Sequence, residues 1–335
     1  MSKINAHVEI ARTENVPFSS MGSVSCAKIH KILSARYRHV GVSIINTYAD
    51  LESLKDKSPD LVFLGLKKLP MDSTTSGSVW LPEYLDENSI NYTGSKKAAI
   101  ELDFNKERAK WRVYRAGLPT APFFTALPDQ YSLASDLPLA FPLFVKPLTT
   151  GGGKGVGADS VVRNFSEFQK KVADLFTLYG ATSLVEQYLS GREFSVAILE
   201  NTTHGAMIVP IEIITEKNAQ GDRVLGSEVK SDDDEQVVPV RDAKLRHQII
   251  NLAKKIYDLL GSRDLGRIDL RMDTAGTLYF LEANLMPGPV TRYFAGAFLL
   301  DTGFDYESTV LRIVETSLSR AKTTMYSHAV VDHAL

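Results

Sequence analysis

The sequence predicts a mixed α/β (α+β) protein of more than one domain, and three observations predict it. Short apolar strands alternate with amphipathic helices in the N-terminal part of the chain. A strand that ends in a lysine leads into a glycine-rich loop at residues 144–157, and a polar hairpin at residues 265–284 carries closely spaced carboxylates. At 335 residues the chain is long enough for two or three domains.

Composition narrows the class of protein. The chain is 44% hydrophobic and 23% charged, as is usual for a globular protein, and its formal net charge of −2 gives no reason to expect nucleic acid as a partner. The single cysteine, Cys26, excludes an internal disulfide and fits a reducing compartment. No apolar signal segment follows Met1, and no run approaches the ~18 apolar residues of a membrane span. We expect a cytoplasmic protein.

The N-terminal third has the alternating pattern of a small α/β unit. Its predicted elements are strands at 7–11, 40–46, 60–66 and 90–92 and helices at 21–38 and 81–88, with a Gly/Ser/Thr-rich connection at 67–79. Glu14 and residues 19–23 follow the first strand, at the edge where open α/β sheets bind ligands. Glu14 is therefore a candidate substrate contact, and a solvated loop glutamate is the alternative.

A long helix is predicted over residues 96–116, with Ser95 as its N-cap and Gly117 at its end. Lys106 and Lys110 are four residues apart and share one helix face, so one or both reach phosphate groups or form a solvated basic face. The pattern then predicts strands from Phe124, at 141–146 and at 161–162, and a helix at 165–178.

The glycine-rich loop is the first candidate site. Five glycines, Gly151, Gly152, Gly153, Gly155 and Gly157, follow the strand that carries Lys146, and Lys154 lies among them. Glycine lets backbone N–H groups approach an anion closely, which indicates phosphate binding. The loop is not a P-loop, because Gly155 follows Lys154 where a hydroxyl is required, and Val156 breaks the dinucleotide fingerprint. A flexible surface loop is the alternative.

Residues 183–196 are predicted to form a strand, a turn and a strand, with Glu186 and Glu193 on either side of the turn. A strand that carries an acid such as Glu186 presents backbone groups to a purine edge, and the second acid, Glu193, binds ribose hydroxyls. The alternative is that both are ordinary surface residues of a turn. A strand at 206–214 and a helix at 243–260 flank a long polar stretch, 215–236, which contains Lys230 and an acidic run and is predicted to be a lid or a disordered loop.

The hairpin at 265–284 is the second candidate site. Arg267, Asp269 and Arg271 alternate on one face of a strand, and Glu282 and Asn284 do so on the return strand. The hairpin brings Asp269 close to Glu282 and Asn284, a set of oxygen ligands suited to Mg²⁺. An ordinary polar hairpin with a compensating arginine is the alternative.

The rest of the chain leaves this hairpin through a tight turn, in which the backbone N–H of Gly288 is free to meet an oxyanion. Helices are predicted at 291–299, with Arg292 and Tyr293 near its start, and at 306–319, and the tail from Arg320 has no clear pattern.

These motifs in this order resemble the ATP-grasp superfamily, most closely the D-alanine–D-alanine ligase family. The motifs are Val-Glu-Gln-Tyr-Leu-Ser-Gly-Arg-Glu-Phe, Gly-Arg-Ile-Asp-Leu and Leu-Glu-Ala-Asn-x-x-Pro-Gly, and the resemblance runs from Tyr92 to about Gly288. It implies the ATP-grasp fold: a Rossmann-like N-terminal domain, 1–94, a central subdomain with the glycine loop, 95–182, and a C-terminal subdomain with the metal site and lid, 183–335, the last two clasping ATP.

The resemblance also implies roles for single residues in binding ATP. Lysines hold the phosphates, the glycine loop covers the β- and γ-phosphates, and an acid with two backbone groups holds adenine above an acid for the ribose. The implied residues are Lys106, Lys146, Lys230, Gly151, Gly152, Gly153, Lys154, Gly155 and Val156 for phosphates; Glu186, Gln187, Leu189 and Glu193 for the nucleoside; and Phe144, Val156, Tyr188 and Leu281 for the base pocket.

For catalysis the resemblance implies two Mg²⁺ ions, or Mn²⁺, on Asp269, Glu282 and Asn284, with Arg267 and the N–H of Gly288 at the oxyanion. ATP converts a carboxylate, which is a poor acyl donor, into an acyl phosphate, and an amine then attacks to form an amide. Metals and lysines neutralise the transferring phosphoryl group, while Arg267 stabilises the tetrahedral oxyanion.

Several residues depart from the pattern of D-alanine–D-alanine ligases. Gly152 and Gly153 stand at the places of loop serines, Ser231 at the place of a tyrosine, Leu285 at the place of a threonine, and Tyr293 near a serine that grips the second carboxylate. We therefore expect a ligase that forms amide or dipeptide bonds on unusual or L-amino acids, as in antibiotic biosynthesis, with Glu14, Arg292 and Tyr293 near the substrates.

Three alternatives remain. The first is a D-alanine–D-alanine ligase of cell-wall synthesis, the second a cyclising ligase that acts on one amino acid, and the third a nucleotide-binding protein without catalysis. The retained lysines and metal ligands speak against the third, because unpaired buried carboxylates are costly. The expected partners are small amino acids or amines, and the resemblance adds a homodimer.

Overall fold

The computed structural model describes residues 2–14, 21–70, 78–202, 205–232, 234–289 and 291–332. Parts of the predicted connection at 67–79 and of the region 19–23, and Asp233 of the acidic run, lie outside these residues.

The N-terminal unit is a three-stranded parallel sheet with helices around it, as the alternating pattern predicts. It contains β1 (Ile4–Arg12), α1 (Ser23–Arg36), β2 (Tyr37–Ile44), α2 (Tyr48–Asp56), β3 (Leu61–Leu64), β4 (Lys68–Pro70), β5 (Ser78–Trp80) and α3 (Leu81–Glu87). The sheet order is β2–β1–β3, and β4 and β5 form a separate antiparallel pair.

Two local features of this unit differ from the prediction. Helix α2 was not predicted, although Thr47 and Asp50 form a capping box at its start, which is a signal that the sequence contains. The strand expected at 90–92 is reduced to a single bridge between Val62 and Tyr92.

The central unit is built on a four-stranded antiparallel sheet in the order β6–β9–β7–β8. Its elements are α4 (Lys97–Phe104), α5 (Lys106–Arg115), β6 (Phe123–Ala126), β7 (Leu143–Pro147), β8 (Val161–Val162), α6 (Phe165–Tyr179) and β9 (Ser183–Gln187).

The long helix predicted over 96–116 is in fact two helices. Asn105 interrupts it, and its side chain accepts the N–H of Arg108 at 3.0 Å to cap α5. Ser95 is not the cap of α4; its hydroxyl instead accepts the N–H of Arg263 at 3.2 Å. A good capping residue inside a helical pattern thus starts a new helix and redirects the chain.

The C-terminal unit is a five-stranded antiparallel sheet in the order β12–β11–β10–β13–β14. Its elements are β10 (Glu193–Leu199), β11 (Met207–Ile214), α7 (Ser227–Asp232), β12 (Gln236–Pro239), α8 (Ala243–Leu259), β13 (Leu265–Met272), β14 (Leu278–Asn284), α9 (Ala295–Thr302) and α10 (Tyr306–Asp332). Helix α8 covers one face of this sheet, with Ile249 and Ile256 packed in the same core as Ile268.

Three predictions for this unit need correction. The polar stretch 215–236 is not without structure, since it contains α7 and the first residue of β12. The helix expected at 291–299 begins later, at Ala295, and the helix expected to end at Ser319 continues through the patternless tail to Asp332.

The three units contact one another across the domain limits predicted at 94 and 182. Those limits remain a prediction. Strand β9 begins just beyond the predicted limit at 182, yet it pairs with β6 and β7 of the central sheet. Ile313 and Val314 of α10 share a core with Ile10 and Leu33 of the N-terminal unit. Among the described helices, none combines the length and apolar character needed to cross a membrane.

Candidate active site

A cleft of about 830 Å³, partly open to solvent, is lined by both larger sheets. It brings together most of the residues that the family resemblance assigns to ATP and Mg²⁺, although they come from distant parts of the chain. These are Lys106, Phe144, Lys146, Gly152, Gly153, Lys154, Val156, Glu186, Gln187, Tyr188, Leu189, Glu193, Lys230, Asp269, Leu281 and Glu282; Pro147, Thr150, Leu225 and Arg271 line it as well.

One part of this cleft, lined by Phe144 and Tyr188, is suited to a planar base. The rings of Phe144 and Tyr188 are nearly parallel, with centroids 6.4 Å apart and an interplanar angle of 14°. The guanidinium of Arg271 lies 5.5 Å from the centroid of Tyr188. Arg271 also pairs with Glu193 at 3.0 Å, and burial, which outweighs that pair, raises the pKa of Glu193.

Glu186 lies between two buried lysines. Its carboxylate is 2.6 Å from the ammonium of Lys110 and 2.7 Å from that of Lys146. Burial alone would raise the pKa of Glu186, but the two lysines outweigh it and hold that pKa below its ordinary value. Glu186 therefore fixes the lysine at the end of β7, and its predicted role with adenine stays a prediction.

Lys110, the second of the two lysines that the sequence places on one helix face, contacts Glu186 and does not line the cleft. It is fully buried and also donates to the hydroxyl of Thr120 at 2.7 Å. Its spacing from Lys106 on α5 was the available signal, but that spacing could not tell which lysine faces the cleft. Burial lowers the pKa of Lys110 in spite of Glu186.

Lys106 supports the glycine loop directly. Its ammonium donates to the carbonyl of Pro147 at 3.4 Å and to that of Thr150. Burial lowers the pKa of Lys106, and the negative charge of Glu282 opposes that shift.

The glycine loop packs closely against the segment that carries Lys230. A Cβ on Gly153, whose φ is +79°, would lie 3.1 Å from the backbone nitrogen of Ser227, and one on Gly226 would lie 2.5 Å from the carbonyl oxygen of Val156. Arg163 adds a two-oxygen contact at 2.7 Å to Asp222 of the same segment. The predicted lid therefore lies on the loop in this structure.

The hairpin of β13 and β14 contains a register shift between Asp269 and Leu270, and it brings together the side chains that the sequence places near each other. Asp269 lies opposite Glu282, and Arg267 lies opposite Asn284. Arg267 donates to both carboxylate oxygens of Asp269, at 3.0 and 2.8 Å. Ser195 on the neighbouring strand donates to the same carboxylate at 2.6 Å, a contact that residue spacing could not predict.

These residues are chemically suited to Mg²⁺. Burial would raise the pKa of Glu282, but Lys106, Lys146 and Lys230 outweigh it and lower that pKa to about 2, so this carboxylate stays ionised. Mg²⁺ usually takes one or two carboxylates and completes its shell with phosphate oxygens and water. In the described part of the chain, no three His, Cys, Asp or Glu side chains cluster as a metal site, so such an ion depends on Asn284 or on phosphate.

A smaller cleft of about 500 Å³, also partly open, adjoins the first and shares Lys106, Gly152 and Glu282 with it. It adds Gly151, Arg267 and Asn284, together with two residues that the sequence reasoning missed, Lys67 and Asp103. Their charged groups are 2.7 Å apart, and Asp103 also accepts the N–H of Leu285 at 2.6 Å.

The remaining predicted site residues lie outside both clefts. Glu14 is exposed, with one oxygen 3.9 Å from Arg12. The carbonyl of Gly288 accepts the N–H of Thr291 at 3.2 Å. Arg292 and Tyr293 both contact a buried acid, Glu235, and Gly155 packs against Pro147 beneath the loop.

Two antiparallel sheets that close on lysines, a glycine loop and paired carboxylates define the ATP-grasp class. The structure aligns with the D-alanine–D-alanine ligase of Bacillus anthracis in complex with ATP at a TM-score of 0.70 and 19% identity, over 96% of this chain and 100% of that one. The ATP-grasp fold that the sequence predicts is thereby confirmed.

The sequence comparisons identify the family. The family described as "D-ala D-ala ligase C-terminus" matches residues 113–315. A D-alanine–D-alanine ligase of Laribacter hongkongensis is 30% identical over 274 residues, 80% of this chain and 82% of the relative. One from Marinobacter nauticus is 27% identical over 327 residues, 94% of each chain. The chain belongs to the D-alanine–D-alanine ligase family, and the prediction of an ATP-dependent ligase that forms C–N bonds is confirmed.

Proposed function

We propose that this protein joins two molecules of D-alanine in a reaction driven by ATP. The observation that carries the proposal is the match of up to 94% of the chain to relatives named D-alanine–D-alanine ligase. These relatives favour the cell-wall alternative over the unusual or L-amino acids that the departures at Gly152 and Gly153 suggested. The second candidate, a different amino acid pair, is supported by Ser231 and Leu285, which stand where the family pattern has a tyrosine and a threonine.

The proposed reaction begins with the nucleotide in the larger cleft. Lys106, Lys146 and Lys230 bind its phosphates, and the lid over the glycine loop excludes water from the transferring phosphoryl group. The carboxylate of the first amino acid attacks the γ-phosphorus, the bond to the β-phosphate breaks and ADP leaves, and an acyl phosphate forms. The amine of the second attacks that carbonyl, and Arg267 with the N–H of Gly288 stabilises the oxyanion before phosphate leaves.

Asp269, Glu282 and Asn284 would hold Mg²⁺, which neutralises charge on the phosphates when bound. Glu282 is ionised for this task at any pH near neutrality. The fixed contacts of Asp269 with Arg267 and Ser195 keep its carboxylate in one orientation. We also propose the homodimer that the family resemblance implies, and light scattering of the purified protein tests it.

The test is phosphate release from ATP and Mg²⁺ with D-alanine, L-alanine and a panel of other amino acids, singly and in pairs, with mass spectrometry of the products. We expect phosphate with D-alanine alone and a product of two alanine masses less water. Release only with other pairs would replace the substrate assignment, and loss of water from a single molecule would indicate a cyclising ligase. No release with any member would contradict the proposed function.

A further inference from the structure

Arg267 is held on two sides, and the proposed role of Asp269 explains only one of them. Its guanidinium edge donates to both oxygens of Asp269. The guanidinium carbon also lies 5.6 Å from the centroid of the Tyr293 ring. Tyr293 is partly buried against the core that joins the N- and C-terminal units, so its ring is a fixed surface.

Tyr293 is in turn fixed by a buried acid at the end of the lid. Its phenol donates to the carboxylate of Glu235 at 2.6 Å, and Arg292 donates to the same oxygen at 3.2 Å. Glu235 is 3% exposed and directly precedes β12, whereas Tyr293 precedes α9. A short bond to a buried carboxylate leaves the phenol, and therefore the ring, one orientation.

We propose that Tyr293, anchored by Glu235, is a positioning residue that holds the guanidinium of Arg267 against its ring for the ligation step. The inference rests on the proposed function, in which Arg267 meets the oxyanion. It changes the role of Tyr293 from a substrate contact to a support for the catalytic arginine. It also connects the lid to the reacting centre, since Glu235 lies at the end of the lid segment.

The physical reason is that one bidentate contact does not fix a guanidinium on its own. The pair with Asp269 fixes one edge of the guanidinium, yet the plane of the guanidinium can still tilt about that edge. An aromatic face next to the cation removes that motion and adds attraction between the charge and the ring. An oxyanion donor acts only if it is already in place when the charge forms.

The test compares Tyr293→Leu, which removes ring and phenol, with Tyr293→Phe, which keeps the ring. Tyr279→Leu is the matched control, because the phenol of Tyr279 also meets a carboxylate, Asp273, at 3.3 Å, but outside both clefts. We expect Tyr293→Leu to lower kcat about 10- to 30-fold with little change in either KM, as loss of a desolvated cation–ring contact implies. Tyr293→Phe, which keeps the ring but loses the bond to Glu235, should recover part of that loss, and the control should match wild type.

Three results would overturn the inference: an unchanged kcat in Tyr293→Leu, a raised KM for the amino acid at unchanged kcat, or equal loss in Tyr293→Phe. The second would return Tyr293 to the substrate site. If Tyr293→Leu does not fold, Tyr293→Met takes its place, because it keeps a flexible apolar side chain.

A measurement without turnover separates this inference from the proposed function. The Nε–H signal of Arg267 in ¹⁵N spectra, assigned from its loss in Arg267→Lys, should carry a ring-current shift in wild type and in Tyr293→Phe. That shift should vanish in Tyr293→Leu. A wild type that forms no product contradicts the proposed function, whereas an Arg267 signal unaffected in Tyr293→Leu contradicts the positioning role.

Discussion

In the larger cleft, the carboxylate of Glu186 forms ion pairs with two buried ammonium groups, so its substitution affects both lysines. Removing one partner of a buried ion pair leaves an uncompensated charge and costs about 3–5 kcal/mol. Here the same change affects a lysine that carries no exposed surface, Lys110, and one that lines the larger cleft, Lys146.

We therefore expect Glu186→Gln to lower the free energy of unfolding by about 3–5 kcal/mol and to raise the KM for ATP. Urea titration and steady-state kinetics measure the two effects. Glu212→Gln is the control, because it breaks the more exposed pair with Arg192, at 2.6 Å, and such pairs contribute about 0–1 kcal/mol. Equal destabilisation by both substitutions would contradict the assignment.

The pH dependence of stability follows from the same residue. Lys110 and Lys146 hold the pKa of Glu186 below its ordinary value of 4.5, so the unfolded chain binds this proton more readily than the folded one. The contribution of Glu186 is present above pH 4.5 and disappears as the pH falls through the folded pKa. Wild type should lose stability over that acid range more steeply than Glu186→Gln.

At the scale of secondary-structure elements, two backbone segments contact each other at the larger cleft. The glycine loop and the start of α7 approach so closely that Gly226 leaves no room for a side chain near Val156. Local pattern identified each segment as a loop, and Lys106 joins the first of them to α5. Their contact is what places Lys230 over the cleft.

Gly226→Ala should raise the KM for ATP about tenfold, because its Cβ would lie 2.5 Å from a backbone oxygen and the lid must move outward. Steady-state kinetics with varied ATP measure this. Gly22→Ala, where an added Cβ meets nothing within 4 Å, is the control. An unchanged KM for ATP in Gly226→Ala would show that closure of this contact is not needed for binding.

Across the full chain, the larger cleft draws residues from the central and C-terminal sheets and from α5 and α7, so bound nucleotide should stabilise the folded protein. A ligand at 100 times its Kd adds about 2.7 kcal/mol of stability. We expect a non-hydrolysable ATP analogue with Mg²⁺ to raise Tm clearly, and EDTA to remove most of the increase.

Glu282→Gln should abolish the Mg²⁺-dependent part of that increase and leave turnover undetectable, because the ion loses an ionised ligand. Glu83→Gln, which breaks a pair with Lys97 at 2.6 Å, serves as control. A normal Mg²⁺-dependent increase in Tm in Glu282→Gln would contradict the metal assignment without contradicting the ATP site.

Local spacing was sufficient for the features that depend on neighbouring residues. Two-residue alternation placed Asp269 on one face of β13 with Arg267, and Glu282 on one face of β14 with Asn284, because side chains alternate along any strand. It did not set the two strands against each other, since a register shift between Asp269 and Leu270 is what puts Glu282 opposite Asp269. The glycine loop after Lys146 was also recognisable, because its glycines are close together in the sequence. Where local signals competed, as at Asn105, the stronger helix cap ended one helix and began another.

Contacts between distant segments were beyond such reasoning, because spacing along the chain does not say which buried charges meet. Only the folded chain pairs Glu186 with Lys110, Ser195 with Asp269 and Lys67 with Asp103. Burial then sets the pKa of each group, since desolvation and nearby charges have no counterpart in the unfolded sequence. The residues of the chemistry were thus evident from motif and spacing, whereas the groups that hold them in place were determined by packing.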